Sequence, residues 1–414
     1  MRGTPRIGLI LTATPFRQFG LMTARSPVVA VLATLDSKVE ETRFLVGQLE
    51  SLDLRPEVID VSLNPHGQRT SGADKLVAMS VATQRAKDSL KRLREKTPVS
   101  VIVGIGGGTG YQIIAPALAD PQLSMPRVLI TTLAVDPRPE ASVTGIILIP
   151  SVADLAGLNP TVRSILANAG AIIAGLARRA DAEGAPAFDT GRSIGITALG
   201  VTGRGASEAA RLVRQLGFEA TVFHANGFGG NAFANLARRG GLVGAIDYTL
   251  HELTQQLFDP VSTVGADRVT ATRVCPRVFL PGGVNFHTRD GRIPQNAGAP
   301  GQPGYSHSPA FRHIRLTLKE MRDVARLVAR ELQESPGSTT VILPLGGFSS
   351  EDRPGGAIEW LEGRRVFSDT LRQASRGRFE LIETDGHIND PETARLAVDR
   401  LMSDMTRHPP ASPG

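Results

Sequence analysis

The sequence predicts an α/β fold built from two Rossmann-like, doubly wound parallel-sheet subdomains with a cleft between them. Three observations lead to this prediction. Apolar strand-like runs alternate with amphipathic helix-like segments, the alternation restarts near residue 193, and in each half one strand-like run passes directly into a glycine-rich turn. Ligands of such sheets bind beyond the carboxyl ends of the strands, so the two turns mark the regions where function is expected.

The chain has 414 residues, which is enough for two domains with sizeable cores. We predict an N-terminal domain over residues 27–180 and a C-terminal domain over residues 193–405, joined by a segment rich in Ala, Gly, Asp and Pro. Residues 1–26 and 406–414 are expected to be disordered extensions. The apolar stretch in the first of them is too short to span a membrane and makes a poor signal peptide.

Hydrophobic periodicity predicts the elements of the first half in order. Uninterrupted apolar runs indicate buried strands, and apolar residues at helical spacing indicate amphipathic helices. The predicted strands are residues 28–34, 56–61, 99–103 and 127–131. The predicted helices are residues 39–52, a stretch that ends at 94, a helix after the first glycine turn, and residues 161–179. This alternation implies a parallel sheet.

The second half repeats the same alternation. Its predicted strands are residues 193–198, 220–223, 243–247, 277–280, 339–344 and 379–384. Its predicted helices begin near residues 206 and 250, follow the second glycine turn, and span residues 318–332. A Gly/Pro-rich loop is predicted from residue 290 to residue 309, and a loop of this length is typical of a functional segment.

Composition limits the classes of function. The 46 basic residues are scattered among 40 acidic ones, so the net charge of +6 forms no basic stripe. Aromatic residues make up only 5%, which argues against stacking platforms for single-stranded nucleic acid. The single cysteine, Cys275, excludes an intramolecular disulfide and a thiolate metal cluster. We therefore predict a cytoplasmic protein that binds a small molecule rather than nucleic acid or a membrane.

The most informative segment is the first glycine turn, GIGGGTG at residues 104–110. Glycines let consecutive backbone N–H groups converge, and the following helix adds partial positive charge, so the turn suits a nucleotide phosphate. The predicted phosphate-binding residues are Gly106, Gly107, Gly108 and Thr109. Thr109 replaces the third glycine of a dinucleotide fingerprint, and no phosphate-loop lysine follows. The alternative is a tight strand-to-helix connection that needs small residues only for packing.

The loop after the first strand carries side chains that suit a nucleotide. Thr34 and Ser37 can donate hydrogen bonds to a phosphate, and Lys38 can neutralise it. Asp36 can bind a ribose hydroxyl or a hydrated Mg²⁺ ion. The alternative is that Asp36 or Ser37 caps the following helix. Both roles can hold together.

In the second half, the turn FHANGFGG carries a histidine beside bare backbone. His224 can donate or accept a proton or contact a phosphate. The predicted ligand-binding glycines of this turn are Gly227, Gly229 and Gly230. The alternative is that the histidine only tethers the turn.

A third polar cluster, HINDP, follows the last predicted strand. Asp390 precedes Pro391 in the pattern of a helix N-cap, whereas His387 is expected to face a cleft. His387 and Asp390 join His224 as candidate catalytic residues. Secondary candidates on similar loops are Asp247, Glu252, Asn285, Ser349 and Asp352. No HExxH or CxxC spacing occurs, so no dedicated metal site is indicated.

These segments, together with SVADLAGLN at residues 151–159, occur in an order that resembles a family of bacterial, fungal and plant ATP-binding proteins related to the N-terminal domain of the tomato mosaic virus resistance protein. The resemblance covers most of residues 28–405. It implies two Rossmann-like subdomains, a homodimer, and ATP with Mg²⁺ as ligands. The chain departs from the family pattern at residues 226–230, 247–252 and 281–287, so it resembles a divergent member with a substrate pocket of its own.

Two functions are compatible with these features. The first is an ATP-dependent enzyme that transfers a phosphoryl or adenylyl group to a carboxylate or hydroxyl of a small molecule in the cleft, as a kinase or ligase does. The second is a non-catalytic, ATP-gated module that binds a protein partner. Histidines and carboxylates near the expected cleft favour the enzyme. An epimerase or hydrolase that acts on nucleotide sugars would rest on analogy of fold alone.

Overall fold

Two separate parallel sheets, one from each half of the chain, organise the molecule. The computed structural model describes residues 26–63, 73–120, 122–183, 193–258, 264–265, 267–292, 302–334 and 339–407. Most of the predicted extension 1–26 and of the predicted tail 406–414 lies outside these residues. The two tail residues that are described, 406 and 407, continue the last helix, which corrects the prediction at that point.

The first half forms a five-stranded parallel sheet with helices on both faces. Its strands are β1 Val28–Ala33, β2 Arg55–Asp60, β3 Val101–Gly106, β4 Arg127–Thr131 and β5 Ile147–Pro150. Its helices are α1 Val39–Glu50, α2 Ala73–Lys96, α3 Gly108–Leu118, α4 Arg138–Thr144 and α5 Pro160–Glu183. The strand order is β2-β1-β3-β4-β5, so the direction of winding reverses between β1 and β3. This pair is the topological switch point, beyond which ligands of such sheets bind.

Both faces of this sheet are buried because its central strands are apolar along their length. One face packs against α2 and α3 through residues such as Leu32 and Leu129. The other face packs against α1 and α5 through residues such as Val31, Ile130 and Leu166. By length and composition α5 could cross a membrane, but its apolar residues contribute to this core.

The second half forms a larger parallel sheet and a small antiparallel one. Its strands are β6 Ser193–Ala198, β7 Glu219–His224, β8 Gly244–Thr249, β9 Arg277–Gly282, β10 Phe286–Asp290, β11 Gly304–Ser308, β12 Phe311–Arg315, β13 Thr339–Pro344 and β14 Glu380–Thr384. Its helices are α6 Gly203–Gln215, α7 Phe228–Arg238, α8 His251–Phe258, α9 Leu318–Gln333, α10 Leu361–Ser375 and α11 Pro391–Arg407. The parallel sheet has the order β14-β13-β9-β8-β6-β7, with its switch point between β6 and β8, and the antiparallel sheet has the order β10-β12-β11.

These sheets confirm the predicted α/β fold with two doubly wound, Rossmann-like subdomains. The strands predicted at residues 127–131, 193–198 and 339–344 have the observed bounds. Sequence periodicity missed β5 and α4 because elements of four and seven residues are too short to show a period. It also missed α10, whose apolar positions are few.

The predicted loop from residue 290 to residue 309 is wrong in part. Residues Gly304–Ser308 form β11, which pairs with β12 and brings Tyr305 opposite His313. Residues 293–301 lie outside the described residues. No strand pattern is visible there because glycine and polar residues predominate in β11, which is stabilised by pairing with β12 rather than by an apolar pattern.

The HINDP segment ties the last strand to the start of α6. The Asn389 side chain accepts a hydrogen bond from the Gly205 N–H at 3.1 Å and donates one to the Val201 carbonyl at 2.9 Å. The buried Tyr248 hydroxyl in β8 donates to the Ile388 carbonyl at 2.6 Å. These bonds fix the carboxyl edge of the second parallel sheet.

Removal of the Tyr248 hydroxyl tests this fixation. We expect Tyr248→Phe to lower the free energy of unfolding by about 1–3 kcal/mol, because the Ile388 carbonyl loses a buried donor. Urea unfolding followed by circular dichroism measures the change. The control, Thr406→Val, removes an exposed hydroxyl that donates to the Met402 carbonyl, and we expect a change below about 0.5 kcal/mol. Equal losses in the two variants would contradict the role of Tyr248.

Candidate functional site

The glycine turn and the loop after β1 meet at the switch point of the first sheet. A Cβ atom added at Gly110 would lie 3.7 Å from the Thr34 methyl carbon, so the two segments are in contact. The Thr34 hydroxyl lies 3.2 Å from the Ser37 hydroxyl. A Cβ atom at Gly106 would approach the Gly110 Cα atom to 2.9 Å, so this position requires glycine. Gly107 is the N-cap residue of α3 and forms no side-chain cap, which leaves the first N–H groups of α3 available to an anion.

The neighbouring strand end also has unmet hydrogen-bonding capacity. Thr131 pairs with Gly106 across β3 and β4 and is fully buried. Its hydroxyl has no hydrogen-bond partner among the described residues. A buried polar atom without a partner costs free energy, so this end of the sheet is incompletely satisfied by the chain itself.

Asp36 and Lys38 lie on the loop beside this turn. The Asp36 N–H donates to the Ser62 hydroxyl at 2.9 Å, and that hydroxyl donates to Asp60 at 2.5 Å. Lys38 occupies the N-cap position of α1 and makes no side-chain cap hydrogen bond. The alternative in which Asp36 or Ser37 caps α1 is therefore wrong. The side chains of Asp36 and Asp60 are exposed at the edge of the sheet.

The geometry does not indicate a metal ion held by the protein alone. Within the parts of the chain that the structure describes, no group of three or more His, Cys, Asp or Glu side chains could hold one. Mg²⁺ that accompanies a nucleotide needs only one or two carboxylates, because phosphate oxygens and water fill its other positions. Asp36 therefore fits a magnesium ion that arrives with a nucleotide.

The segment after β4 connects the glycine turn to the second domain. A Cβ atom added at Gly107 would lie 3.9 Å from the Thr132 hydroxyl. One added at Gly108 would lie 3.4 Å from the Ala134 Cβ atom. A few residues later, Arg138 lines a cavity between the two domains. One short segment thus touches the glycine turn and the cavity.

The cavity has a volume of about 640 Å³ and lies at the switch point of the second parallel sheet. Its walls come from the segments that follow β6, β7 and β8, from α4 of the first domain and from the antiparallel sheet. The two domains also touch where the Arg239 guanidinium, at the end of α7, donates to the Val143 carbonyl of α4 at 2.8 Å. Arg138 is the one lining residue from the described part of the first domain, so a ligand in this cavity would contact mainly the second domain.

A second groove, of about 680 Å³, lies between α9 and α10. Side chains of helix surfaces line it, among them Arg322, Arg326 and Arg376. The groove lies away from the carboxyl ends of the strands, where ligands of doubly wound sheets bind. The interdomain cavity is therefore the candidate site.

Among the described residues, the walls of the interdomain cavity carry three arginines and two carboxylates, and Arg138 pairs with Asp136 at 2.6 Å. The arginines that line it are Arg138, Arg289 and Arg292. The carboxylates that line it are Asp290, which pairs with Arg292 at 2.6 Å, and Glu252, which pairs with an arginine behind the cavity wall. Exposed ion pairs are weak, so these arginines can still contact an anionic ligand.

A buried ion-pair cluster holds the second glycine turn. Arg268 donates to the two Asp247 oxygens at 2.7 and 2.9 Å and to one Glu252 oxygen at 2.7 Å, and none of these side chains is more than 2% exposed. The other Glu252 oxygen accepts the Gly227 N–H at 2.5 Å. Burial alone would lower the pKa of Arg268, but the charges of Asp247 and Glu252 outweigh burial and raise it. The cluster thus fixes the turn from beneath.

Close packing requires glycine in this turn. A Cβ atom at Gly230 would collide with the Glu252 carboxylate, and one at Gly229 would collide with the His224 carbonyl. Gly227 has a φ of 89°, in the left-handed region that favours glycine. Of the three predicted glycines, Gly227 lines the cavity. Ligand binding by Gly229 and Gly230 stays a prediction beside their role in packing.

The predicted catalytic histidines lie in different surroundings. His224 is exposed and lines the cavity. The His387 Nδ1 atom accepts the Asn389 N–H at 3.0 Å, and its Nε2 atom donates to the Ser349 carbonyl at 2.9 Å. Asp390 accepts the His387 N–H at 2.7 Å and directly precedes α11. Backbone groups thus occupy both ring nitrogens of His387, which favours a tethering role, and catalysis by His387 and Asp390 stays a prediction.

The other secondary candidates belong to structural networks. Asp352 accepts the Phe348 N–H at 3.0 Å and pairs with the buried Arg364. Asn285 donates to the Ser349 hydroxyl at 3.2 Å. These contacts connect the loops that follow β9 and β13.

Sequence analysis missed the histidines that surround the cavity. His251 follows β8, and His307 and His313 lie on the antiparallel sheet. His313 lies opposite Thr288 in the pairing of β12 with β10. The Thr288 hydroxyl is 3.0 Å from His313 Nδ1 and 3.1 Å from His251 Nε2. Only the pairing of strands brings these distant positions together, so no local motif could have revealed them.

Burial determines the protonation of two of these rings. It lowers the pKa of His251 to about 4, against the opposing effect of the hydrogen bond to the Gly283 carbonyl. Burial lowers the pKa of His313 to about 3, and His251 and His307 act in the same direction. Both rings are therefore neutral at physiological pH.

Comparison with known proteins assigns the chain to a family. Residues 192–405 match the family described as "Uncharacterised protein family (UPF0261) C-terminal domain", and residues 64–182 match the N-terminal domain of the same family. The chain belongs to the UPF0261 family. A UPF0261 protein of Rhizobium meliloti is 31% identical over 89% of this chain and 97% of its own length. One of Clostridium tetani is 28% identical over 92% and 99%.

The family includes a plant relative with further sequence. The ToMV resistance protein Tm-1(GCR237) of Solanum lycopersicum is 26% identical over 94% of this chain but only 58% of its own length. The predicted relationship to the tomato protein is confirmed. ATP binding by this UPF0261 chain stays a prediction.

Solved structures share only a distant likeness with the chain. A UDP-GlcNAc 2-epimerase of Methanocaldococcus jannaschii, in complex with UDP-GlcNAc and UDP, is 9% identical, covers 92% of both chains and has a TM-score of 0.23. The UDP-N-acetylglucosamine 2-epimerase of Rickettsia bellii is 10% identical over 93% of this chain and 97% of its own, with a TM-score of 0.21. Such scores are too low to transfer a ligand or a reaction.

Removal of the buried arginine tests the ion-pair cluster. We expect Arg268→Leu to lower the free energy of unfolding by about 3–5 kcal/mol, because Asp247 and Glu252 become buried charges without a partner. Chemical unfolding measures this loss. The control, Arg211→Leu, removes an exposed ion pair with Glu208 and is expected to change stability far less. A small effect of Arg268→Leu would contradict the role of the cluster.

The neutral histidines predict a loss of stability in acid. Because the pKa of His313 is lower in the folded chain than in the unfolded chain, only the unfolded chain binds this proton between about pH 6.5 and pH 3. The contribution of neutral His313 is complete above that window and is lost as the pH falls through it. Between about pH 6.5 and 4.5, His313→Asn should take up about one proton fewer on unfolding than the wild type. The slope of unfolding free energy against pH should therefore be smaller in this variant.

The matched control for this pH dependence is His224→Asn, which changes an exposed ring of the same cavity. Unfolding free energies at five or six pH values give the slopes. Identical slopes in wild type and His313→Asn would refute the prediction.

Proposed function

We propose that this protein is an ATP-dependent enzyme that transfers a phosphoryl or adenylyl group to a small anionic molecule held between its two domains. The observation that carries the proposal is the short path from the glycine turn to the interdomain cavity. Residues 132–138 contact the turn at one end and line the cavity at the other. Each feature lies at the switch point of a parallel sheet. Group transfer requires a donor site and an acceptor site close together, and this segment links the two regions.

The glycine turn supports the nucleotide half of this proposal. The first N–H groups of α3, from Gly108 to Gly110, have no side-chain cap, and the helix dipole favours an anion there. We assign the phosphates of ATP to these groups and to Thr34 and Lys38. Mg²⁺ would arrive with the nucleotide and take Asp36 as a ligand.

The cavity supports the acceptor half. Its arginines suit a carboxylate or phosphate group of a substrate, and its volume of about 640 Å³ is typical of small-molecule sites. Arg138 belongs to the segment that reaches the glycine turn, so we expect it to contact both ligands. His224 is the group we assign to proton transfer at the acceptor.

The name of the tomato relative supports an alternative. That relative is a ToMV resistance protein, which suggests a module in which ATP creates a surface for a protein partner. A cytoplasmic homodimer is the setting we expect for either function.

Calorimetric titration with Mg·ATP tests the nucleotide site. Gly107→Val adds a side chain beside the start of α3, where the nearest atom to a Cβ is 3.9 Å away, so the fold can tolerate it. We expect this variant to bind ATP at least about tenfold more weakly, because the side chain fills the space of the phosphates. The matched control is Gly47→Val on the exposed side of α1, where a Cβ meets nothing within 4 Å.

The outcomes separate the two functions. Equal affinities of wild type and Gly107→Val would exclude the glycine turn as the phosphate site. ATP consumption that depends on an added hydroxyl or carboxyl acceptor would support the enzyme. Tight ATP binding without turnover across a broad panel of acceptors would favour the binding module, and no ATP binding by the wild type would refute both.

A further inference from the structure

The antiparallel sheet contributes to a chain of hydrogen bonds that ends at the cavity. The His251 Nδ1 atom lies 2.8 Å from the Gly283 carbonyl oxygen, and its Nε2 atom lies 3.1 Å from the Thr288 hydroxyl. The same hydroxyl lies 3.0 Å from the His313 Nδ1 atom. Because His313 lies opposite Thr288 in the β10-β12 pair, strand register sets this last distance.

The chemistry of the groups fixes the direction of each bond. A carbonyl oxygen only accepts, so the His251 Nδ1 atom carries a proton. Since burial keeps the ring neutral, its Nε2 atom is unprotonated and accepts the one hydroxyl proton of Thr288. The hydroxyl oxygen is then free to accept, and its partner is the Nδ1–H of His313. His313 is therefore the Nδ1–H tautomer, and its Nε2 atom is an acceptor.

The His313 Nε2 atom is held in a fixed orientation and has no hydrogen-bond donor opposite it among the described residues. The His313 Nε2 atom makes no hydrogen bond to any residue in the described part of the structure, and the ring lines the cavity. Three rings pack around it, with centroid distances of 4.4 Å to Phe286, 5.1 Å to Tyr305 and 5.3 Å to His307. A neutral acceptor held rigidly at a cavity wall has the geometry of a ligand-binding group.

We propose that His313 accepts a hydrogen bond from a hydroxyl group of the ligand in the interdomain cavity, and that this ligand is a small hydroxylated anion. Its charged group would pair with Arg289, which directly follows Thr288 in β10 and lines the same cavity. Thr288 and His251 are positioning residues that set the tautomer of His313. The inference rests on the proposed function only in taking this cavity as the substrate site.

Nitrogen-15 NMR of the full chain labelled at histidine determines the tautomers without any ligand. We expect His251 and His313 to carry their protons on Nδ1 between about pH 6 and pH 8. Thr288→Val removes the hydroxyl at nearly constant shape and should abolish the single tautomer of His313, whereas Thr288→Ser should retain it. A proton on His313 Nε2 in the wild type, or an unchanged His313 signal in Thr288→Val, would overturn the proposal.

Two phosphates that differ only in their hydroxyl groups test the ligand class. Glycerol 3-phosphate should shift the His313 Nε2 signal saturably and bind about tenfold more tightly than propyl phosphate, the size expected for one hydrogen bond. This preference should disappear in Thr288→Val and return in Thr288→Ser. Equal affinities for the two phosphates, or no response of the His313 signal to glycerol 3-phosphate, would refute the assigned ligand class.

These measurements contain no nucleotide, so they separate the two proposals. If the protein does not bind ATP but glycerol 3-phosphate still shifts the His313 signal, the ATP-dependent reaction is refuted and the hydroxyl-binding site is retained. The opposite result would remove the role of His313 and keep the nucleotide site.

Discussion

The carboxyl edge of the second domain depends on one buried guanidinium group. Arg268 pairs with both Asp247 of β8 and Glu252 of α8, and Asp247 also accepts a hydrogen bond from Thr197 of β6 at 2.7 Å. Glu252 also accepts a hydrogen bond from the Gly227 N–H, which holds the turn after β7 against the same cluster. Three strand ends are therefore held at one charge cluster. Because buried charges are costly without partners, the cluster permits little variation in how these segments meet.

The glycine turn and the interdomain cavity differ in the groups that they would offer a ligand. The glycine turn of the first domain offers backbone N–H groups at the start of a helix. Such groups suit any phosphate and do not discriminate between ligands through side chains. The interdomain cavity instead presents arginines, histidines and a threonine from several elements. The first region is suited to a common ligand such as a nucleotide. The second is suited to discrimination among small molecules.

How much of the structure can be predicted from the sequence depends on whether a feature is determined by neighbouring residues or by residues far apart in the chain. Both parallel sheets were predicted because apolar runs and glycine turns are local patterns. Thr34 was predicted only as a phosphate-binding residue on the loop after β1, and the structure adds its contact with the glycine turn. The alignment of Thr288 with His313 was not, because it depends on the register of two polar strands. The sequence indicates Asp247 and Glu252 only as secondary candidates, because no local pattern reveals their buried partner Arg268.

The antiparallel sheet occupies the stretch of chain between β9 and α9 and forms hydrogen-bonded strand pairs only within itself. Its side chains contribute a wall of the cavity, whereas the two parallel sheets depend on other residues for their cores. Mutations in this sheet can therefore alter the shape and polarity of the cavity without disturbing either Rossmann-like core. Substitutions in the antiparallel sheet could change which molecules fit the cavity while both parallel sheets still fold. Such a segment gives a family a place where specificity can evolve separately from stability.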